Sequence, residues 1–296
     1  MGALFRDYAE LTKLRVTTLI VATAWCGFYF GALKSGVSSL SMSLFHALLG
    51  IGLVSSGTAA LNEVMECEVD ARMRRTARRP LPSGRMSMVH GTVAGVLLTV
   101  GGALYLAWAT NALTGLLTLA TAFVYLAAYT PLKRVHPICT FVGAIPGAMP
   151  GVLGWTAARG QLDPGALVMF AIVFFWQFPH FYSIAWLYRD DYAAGGVRML
   201  PAVESDGIGT GRRILIYSVG LIPVSLAPTI FGMSGRTYAF GAVVMGVAFC
   251  YFGSRLAHLG LPMSAPRSKQ RARQLLQASV VYLPLLFALM MIDGVK

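Results

Sequence analysis

Charged side chains are scarce in this chain of 296 residues. Only 12% of the residues are Asp, Glu, Lys or Arg, about half the share found in soluble globular domains. Apolar residues make up 56% of the chain and the mean hydropathy is +0.65, which excludes a disordered chain, a collagen and a coiled coil. Cysteine is scarce as well, and its wide spacing excludes a disulfide scaffold, a zinc finger and a covalent haem-attachment motif. The four cysteines are Cys26, Cys67, Cys139 and Cys250.

Long apolar runs account for most of the sequence. A membrane-crossing helix needs about 20 mostly apolar residues, and such a run must be helical because hydrocarbon cannot satisfy free backbone amides. We therefore predict an all-α polytopic membrane protein whose residues 1–296 form a single integral membrane domain. The nine predicted spans are 16–36, 43–64, 89–109, 111–129, 138–157, 165–187, 213–233, 237–257 and 275–292.

The basic residues predict the orientation of these spans. With nine spans, all but four of the 24 Lys and Arg residues fall on the side of the N-terminus. Because basic loops stay in the cytoplasm, we predict a cytoplasmic N-terminus, an outer C-terminus and an uncleaved first helix. No transit peptide is apparent, which favours the plasma (inner) membrane of a bacterium, and the scattered charge argues against binding to nucleic acid. The four outer residues are Lys34, Arg159, Arg236 and Lys296.

Acidic residues concentrate at two places on the predicted cytoplasmic side. They follow the second and the sixth span, which are four apart in order, and this indicates two four-helix units plus a ninth helix. We predict that the catalytic loops lie at about 65–88 and 188–212. The residues are Glu66, Glu68 and Asp70 in the first loop and Asp190, Asp191, Glu204 and Asp206 in the second.

The end of the second span carries the most informative pattern. Asn62, Glu66 and Asp70 recur every four residues, so a helix would present their oxygens in one stripe. Such oxygens suit Mg²⁺, which proteins hold through one or two carboxylates together with water and phosphate. The arginines that follow suit phosphate oxygens, although a solvated loop with ion pairs between neighbouring turns would also explain the pattern. These arginines are Arg72, Arg74, Arg75, Arg78 and Arg79.

Two further segments offer polar groups on the same side. After the sixth span, Asp190 and Asp191 could hold a second metal or contact the same anion, or they could belong to a water-exposed loop. His180 stands in an apolar helix near Gln177, where a site role and a hydrogen-bonded core role are both open. After the fourth span, Lys133 and Arg134 could grip a diphosphate or could simply anchor the helix.

The sequence resembles the UbiA superfamily of intramembrane prenyltransferases. Asn62, Glu66 and Asp70 match its NxxxDxxxD-type motif, with Glu in place of the first Asp. Within the superfamily it is most similar to the protohaem IX farnesyltransferases, or haem O synthases. Tyr188 stands where many quinone-type relatives carry an Asp, which fits the haem branch better. The similar segments are 12–15, with Leu14 where Pro is common, 74–81, 132–134, 176–182 and 191–201.

This resemblance implies a UbiA-type bundle and a Mg²⁺-dependent transfer of farnesyl from farnesyl diphosphate to the 2-vinyl group of haem B. It implies that the metal lies at Asn62, Glu66, Asp70 and Asp191, which are also the expected catalytic residues. His180 is the candidate for orienting haem, and membrane lipid surrounds the chain. Haem A synthase or the assembly of a terminal oxidase would be a downstream partner. The expected diphosphate-binding residues are Arg74, Arg75, Arg78, Lys133, Arg134 and Tyr192.

Three alternatives remain open on the sequence. A UbiA-type enzyme with a quinone-precursor or chlorophyll acceptor would share the same metal and diphosphate motif. A transporter would place its charges midway through broken helices, whereas the acidic groups here stand at helix ends. A haem chaperone without catalysis would bind haem and ignore Mg²⁺ and diphosphate.

Overall fold

The computed structural model describes residues 2–36 and 38–295, and in these residues helices are the only regular elements apart from one bridge between Ser234 and Gly294. Nine helical segments in this part of the chain are long and apolar enough to cross a membrane. The all-α, polytopic prediction is therefore confirmed. In chain order the elements are α1 Gly2–Leu11, α2 Leu14–Ser35, α3 Met42–Arg72, α4 Met88–Ala109, α5 Ala112–Phe123, a π-helical segment Val124–Tyr129, α6 Thr130–Leu132, α7 Cys139–Arg159, α8 Pro164–Leu187, α9 Arg189–Ala194, α10 Leu200–Val203, α11 Ile208–Ile230, α12 Arg236–Ala257 and α13 Pro266–Ile292.

Several helices continue past the apolar runs that predicted them. Helix α3 extends two turns beyond residue 64, and α13 starts nine residues before 275, with Pro266 in its first turn where a missing N–H costs nothing. Hydropathy marks only the apolar stretch, but the hydrogen-bond ladder continues wherever polar side chains find partners. The amphipathic helix α1 was not predicted, and Lys296 lies outside the described residues.

Local capping chemistry explains where many helices begin and end. The side chains of Ser41, Ser87 and Asn111 each accept a hydrogen bond from a backbone N–H in the first turn of the helix that follows. Gly36 and Gly160 terminate α2 and α7 in the left-handed conformation that glycine adopts without strain. The connections on the outer side are consequently short and well defined.

The fourth span changes its winding near its end. Between Val124 and Tyr129 the helix widens to a π-helix, because the backbone N–H of Thr130 bonds to the carbonyl of Tyr125 five residues earlier. The Thr130 hydroxyl donates to the same carbonyl at 2.9 Å. Such π-helical turns occur often at functional sites, and this one sets the direction in which Tyr125, Tyr129 and Lys133 point.

The two predicted four-helix units meet where α2 crosses α7. The first unit comprises α2 to α6, the second comprises α7 to α12, and α13 packs against α8 and α12. At the crossing the backbones touch, since a Cβ built on Gly27 would lie 1.9 Å from the Gly151 carbonyl oxygen and one on Gly154 would lie 1.8 Å from that of Ala24. Small residues are what membrane helices use for so close an approach.

The glycine crossing gives a test of this architecture. Replacing Gly27 by Ala would force α2 and α7 apart, and we expect a loss of about 1–3 kcal/mol in the free energy of unfolding, as for other overpacked interfaces. The matched control is Gly101→Ala in α4, where an added Cβ meets no atom within 4 Å. Thermal unfolding in detergent compares the two variants, and equal stability would contradict the described crossing.

Candidate active site at the ends of helices α3 and α8

The predicted oxygen stripe forms along α3 and turns into the protein. Asn62, Glu66 and Asp70 are all buried on successive turns of this helix, as their spacing predicts. Glu63 is buried beside them. A carboxylate in such a place requires a cation or hydrogen-bond donors, because an unpaired buried charge is costly.

Each member of the stripe has a cationic partner from a different segment. The Lys13 ammonium donates to Asn62 Oδ1 at 2.8 Å, Lys133 Nζ lies 2.8 Å from Glu66 Oε1, and Arg79 Nη1 lies 2.6 Å from Asp70 Oδ2. These partners come from the start of α2, the end of the fourth span and the loop after α3. The stripe is thus the point where three chain segments converge.

The two lysines of the site differ in their electrostatic balance. Burial, together with the charges of Arg79 and Lys133, lowers the pKa of Lys13 to about 7, and the attraction of Glu66 and Asp70 does not compensate. Burial also acts to lower the pKa of Lys133, but its neighbours Tyr129, Tyr125 and Glu66 more than offset this and hold that pKa above its usual value. The surroundings of Lys13 are therefore electropositive enough to attract an anion.

The backbone of Lys13 is unusual as well. This residue joins α1 to α2 with φ 48° and ψ 49°, and it is the one non-glycine residue with positive φ in the described ranges. A left-handed conformation costs a lysine energy and is found most often where it places a functional group. Here it directs the ammonium toward Asn62.

The loop between α3 and α4 is tied down on both sides. Glu63 Oε1 accepts a hydrogen bond from the Leu81 backbone N–H at 3.1 Å, and the Thr76 hydroxyl donates to the Asp70 carbonyl at 2.9 Å. Arg85 pairs with Asp7 and with Glu10 on α1. The basic loop is consequently held against the stripe.

Two adjoining cavities of opposite character lie beneath this loop. A polar cavity of about 90 Å³ contains the oxygen stripe and its three cations, and an apolar cavity of about 350 Å³ extends into the bundle. Lys13, Tyr125 and Tyr129 line both. The arrangement suits a ligand with a charged head and a long apolar tail.

The two predicted catalytic loops do meet at this end of the bundle. Tyr192 lines the polar cavity together with Arg75 and Lys133, and the Asp191 carboxylate accepts a hydrogen bond from the Arg75 backbone N–H at 3.3 Å. Asp191 does not line the cavity, and Asp190 is largely exposed, 3.6 Å from Lys269. Residues 62–70 and 190–192 therefore share one end of the molecule.

The remaining predicted residues lie at different distances from the cavities. Arg74, Arg78 and Arg134 are exposed and line neither cavity, so their role in binding diphosphate stays a prediction. His180 lines the apolar cavity, stacks on Trp176 with 4.9 Å between ring centroids, and hydrogen-bonds through Nδ1 to Ser279. Its Nε2 makes no hydrogen bond to the described residues.

Several site residues were missed by reasoning from sequence. Lys13 and Arg79 are direct partners of the stripe, and Tyr125 and Tyr129 join the two cavities. Arg79 stood in the arginine run, but spacing does not reveal which arginine of an irregular loop turns inward. The tyrosines occur in an apolar run, where nothing distinguishes a cavity wall from a lipid-facing side.

The stripe offers a partial ligand set for a hard cation. No group of three His, Cys, Asp or Glu side chains in the described ranges could hold a metal by itself. Asn62, Glu66 and Asp70 supply two carboxylates and an amide beside a polar cavity, which fits Mg²⁺, since this ion commonly completes its shell with water and substrate phosphate. The donor set is therefore suited to a metal that arrives with an anion.

Comparison with known proteins agrees with this geometry. Residues 19–273 match the UbiA prenyltransferase family, and the chain belongs to this family. It is 60% identical to the protohaem IX farnesyltransferase of Koribacter versatilis over 99% of this chain and 94% of that protein.

Solved structures share the fold. The chain superimposes on digeranylgeranylglyceryl phosphate synthase with a TM-score of 0.75 at 15% identity, over 99% of both chains. It also matches a UbiA homologue from Archaeoglobus fulgidus bound to DMAPP and Mg²⁺ with a TM-score of 0.62 at 16% identity, over 96% of this chain and 99% of that one. The nine-helix bundle is thus the UbiA fold.

The pairing of Arg79 with Asp70 predicts a difference within the arginine run. Arg79→Gln leaves the buried Asp70 without its cation, and we expect the free energy of unfolding to fall by about 1–3 kcal/mol. Arg74→Gln alters an exposed side chain and should change it by no more than about 0.5 kcal/mol. Thermal unfolding of the two variants makes the comparison, and equal destabilisation would argue against the described ion pair.

Proposed function

We propose that this enzyme transfers the farnesyl group of farnesyl diphosphate to the 2-vinyl group of haem B, which yields haem O. The observation that carries the proposal is the junction of the polar cavity, with its oxygen stripe and cations, to the apolar cavity. The similarity to protohaem IX farnesyltransferases along nearly the whole chain supports haem as the acceptor. A charged diphosphate and an apolar farnesyl chain suit the two cavities in turn.

The diphosphate would bind in the polar cavity. Lys13, Lys133 and Arg79 are already there, and Arg75 lines the same wall. Tyr192 provides a hydroxyl beside them, while the exposed Arg74, Arg78 and Arg134 would add positive potential around the entrance. Donors fixed in advance around a leaving group stabilise the charge that develops when its bond breaks.

Asn62, Glu66 and Asp70 would hold Mg²⁺, with Asp191 as a further predicted ligand. Bound there, the ion would neutralise part of the diphosphate charge and so favour its departure. Lys133 and Arg79 now pair with the carboxylates of the stripe, and they are within reach of the cavity in which the diphosphate would lie. The same cations can therefore serve the empty and the occupied site.

The transfer itself proceeds at the junction of the cavities. The carbon–oxygen bond of farnesyl diphosphate breaks, and its electron pair leaves with the diphosphate. The π electrons of the haem vinyl group form the new carbon–carbon bond to the farnesyl carbon. Water then adds to the carbon left electron-deficient and releases a proton, which gives the hydroxyethylfarnesyl group.

The apolar cavity would protect the allylic cation from premature capture by water. Tyr125 and Tyr129 stand where the charge would form, and their π faces can stabilise it. His180 would orient haem through Nε2, since Nδ1 is occupied by Ser279. The mostly apolar wall also explains why such an enzyme works inside a bilayer.

We further propose that the end of the bundle carrying the site faces the cytoplasm of a bacterium, with the C-terminus outside the plasma membrane. The distribution of Lys and Arg supports this orientation. Residues 1–296 would act as one domain whose catalytic loops lie at 65–88 and 188–212. Haem A synthase or terminal oxidase assembly would use the product.

Incubation of the purified protein with haem B, farnesyl diphosphate and Mg²⁺ tests the proposed function, with haem products analysed by mass. We expect haem O from the wild type, no product after chelation, and recovery when Mg²⁺ returns. Asp70→Asn should lower kcat by roughly 100-fold or more because it removes a charged ligand. Prenylation of an aromatic acid instead of haem would overturn the proposed acceptor.

Glu66 provides an internal control in the same assay. Glu66→Asp keeps a carboxylate and restores the more common motif, so activity should be largely retained, whereas Glu66→Gln should resemble Asp70→Asn. Equal loss in both Glu66 variants would mean that length, not charge, decides.

The proposed role of His180 predicts a selective effect on haem. His180→Ala should raise KM for haem B by roughly 10-fold, the lower range for loss of a metal-site contact, with KM for farnesyl diphosphate unchanged. Ser279→Ala, which removes only the partner of Nδ1, should have a smaller effect in the same direction. Steady-state kinetics with each substrate varied separately gives the comparison, and unchanged haem kinetics would remove His180 from the acceptor site.

A further inference from the structure

Arg75 is held by an aromatic pair that none of the roles above requires. Its guanidinium lies 5.2 Å from the ring centroid of Tyr188 and 5.7 Å from that of Tyr192. The rings are one turn apart, since Tyr188 ends α8 and the Tyr192 N–H donates to the Tyr188 carbonyl at 2.9 Å. Asp191 binds the Arg75 backbone N–H from the same turn, so three neighbouring residues converge on one arginine.

The pair leaves the hydrogen-bonding edge of Arg75 available. A guanidinium over an aromatic ring uses its face, while its five N–H donors project from its edge. None of these side-chain donors forms a hydrogen bond to the described residues, although Arg75 lines the polar cavity. Its donors are thus free at the place proposed for the diphosphate.

The turn that carries the two tyrosines is itself anchored. The Val197 N–H donates to the Tyr192 carbonyl at 2.8 Å, and the Arg198 N–H donates to the Lys133 carbonyl at 2.7 Å. Gly195 lies so close to Met73 that an added Cβ would come within 2.9 Å of Met73 Cγ. The aromatic pair is therefore a fixed platform and Arg75 is the flexible partner.

We infer that Tyr188 is a positioning residue, which with Tyr192 holds the Arg75 guanidinium over the polar cavity and presents its free N–H edge to a diphosphate. This inference rests on the diphosphate site of the proposed function. Tyr188 is 39% exposed and makes no side-chain hydrogen bond to the described residues, so its ring, not its hydroxyl, carries the role.

Kinetics of Tyr188 variants test the inference. Tyr188→Leu should raise KM for farnesyl diphosphate about two- to five-fold, the range for loss of one exposed cation–π contact, with kcat and KM for haem B unchanged. Tyr188→Phe retains the ring and should behave as the wild type. The matched control is Tyr251→Leu, because Tyr251 stacks with Arg255 at 5.3 Å but lines neither cavity.

A double-mutant cycle separates positioning from a general structural role. If Tyr188 acts through Arg75, Tyr188→Leu will have no further effect in an Arg75→Ala background, whereas independent roles would give multiplying effects. The same cycle is measured with inorganic pyrophosphate and Mg²⁺ by calorimetry, which requires no turnover.

The outcomes distinguish the two claims. Unchanged farnesyl diphosphate kinetics and pyrophosphate binding in Tyr188→Leu, a defect in Tyr188→Phe equal to that in Tyr188→Leu, or multiplying effects in the cycle would each overturn the positioning role. If the wild type forms no haem O but the pyrophosphate cycle still shows coupling, the proposed function fails and the positioning of Arg75 stands.

Discussion

The direct contact between the backbones of α2 and α7 is the constraint on which the rest of the structure depends. Helices usually lie 8–10 Å apart because side chains separate them, but glycines at this crossing remove that spacer. The contact fixes the two four-helix units against each other deep in the bundle. It thereby brings the start of α2, with Lys13, to the oxygen stripe of α3, and it leaves the wall of the apolar cavity to be built from both units.

Charge balance then determines what the site can accept. The stripe places carboxylates in a region of low dielectric, where they are tolerated because cations from three separate segments pair with them. A metal and a diphosphate enter such a site as an approximately neutral unit that can exchange partners with the existing pairs. The site thus needs no large rearrangement to pass from internal ion pairs to a bound substrate, since both arrangements satisfy the same buried charges.

Periodicity and hydropathy predicted the fold and the stripe because both depend on features that repeat along one helix. The nine spans, the two-unit organisation and the burial of Asn62, Glu66 and Asp70 on one face follow from such regularities. The inward turn of Arg79 rather than Arg74 does not, because it depends on how an irregular loop is tied to α1 and α3. The position of Lys13 depends on a left-handed backbone conformation that residue type alone would have argued against.

The π-helical segment Val124–Tyr129 has a consequence for the numbering of the chain itself. An α-helix advances by about 100° per residue, so removal of one residue here would restore regular winding and rotate everything that follows by more than a quarter turn. Lys133 would then swing away from Glu66 even though every side chain of the site were still present. In this part of the molecule the count of residues is as much a functional requirement as their identity.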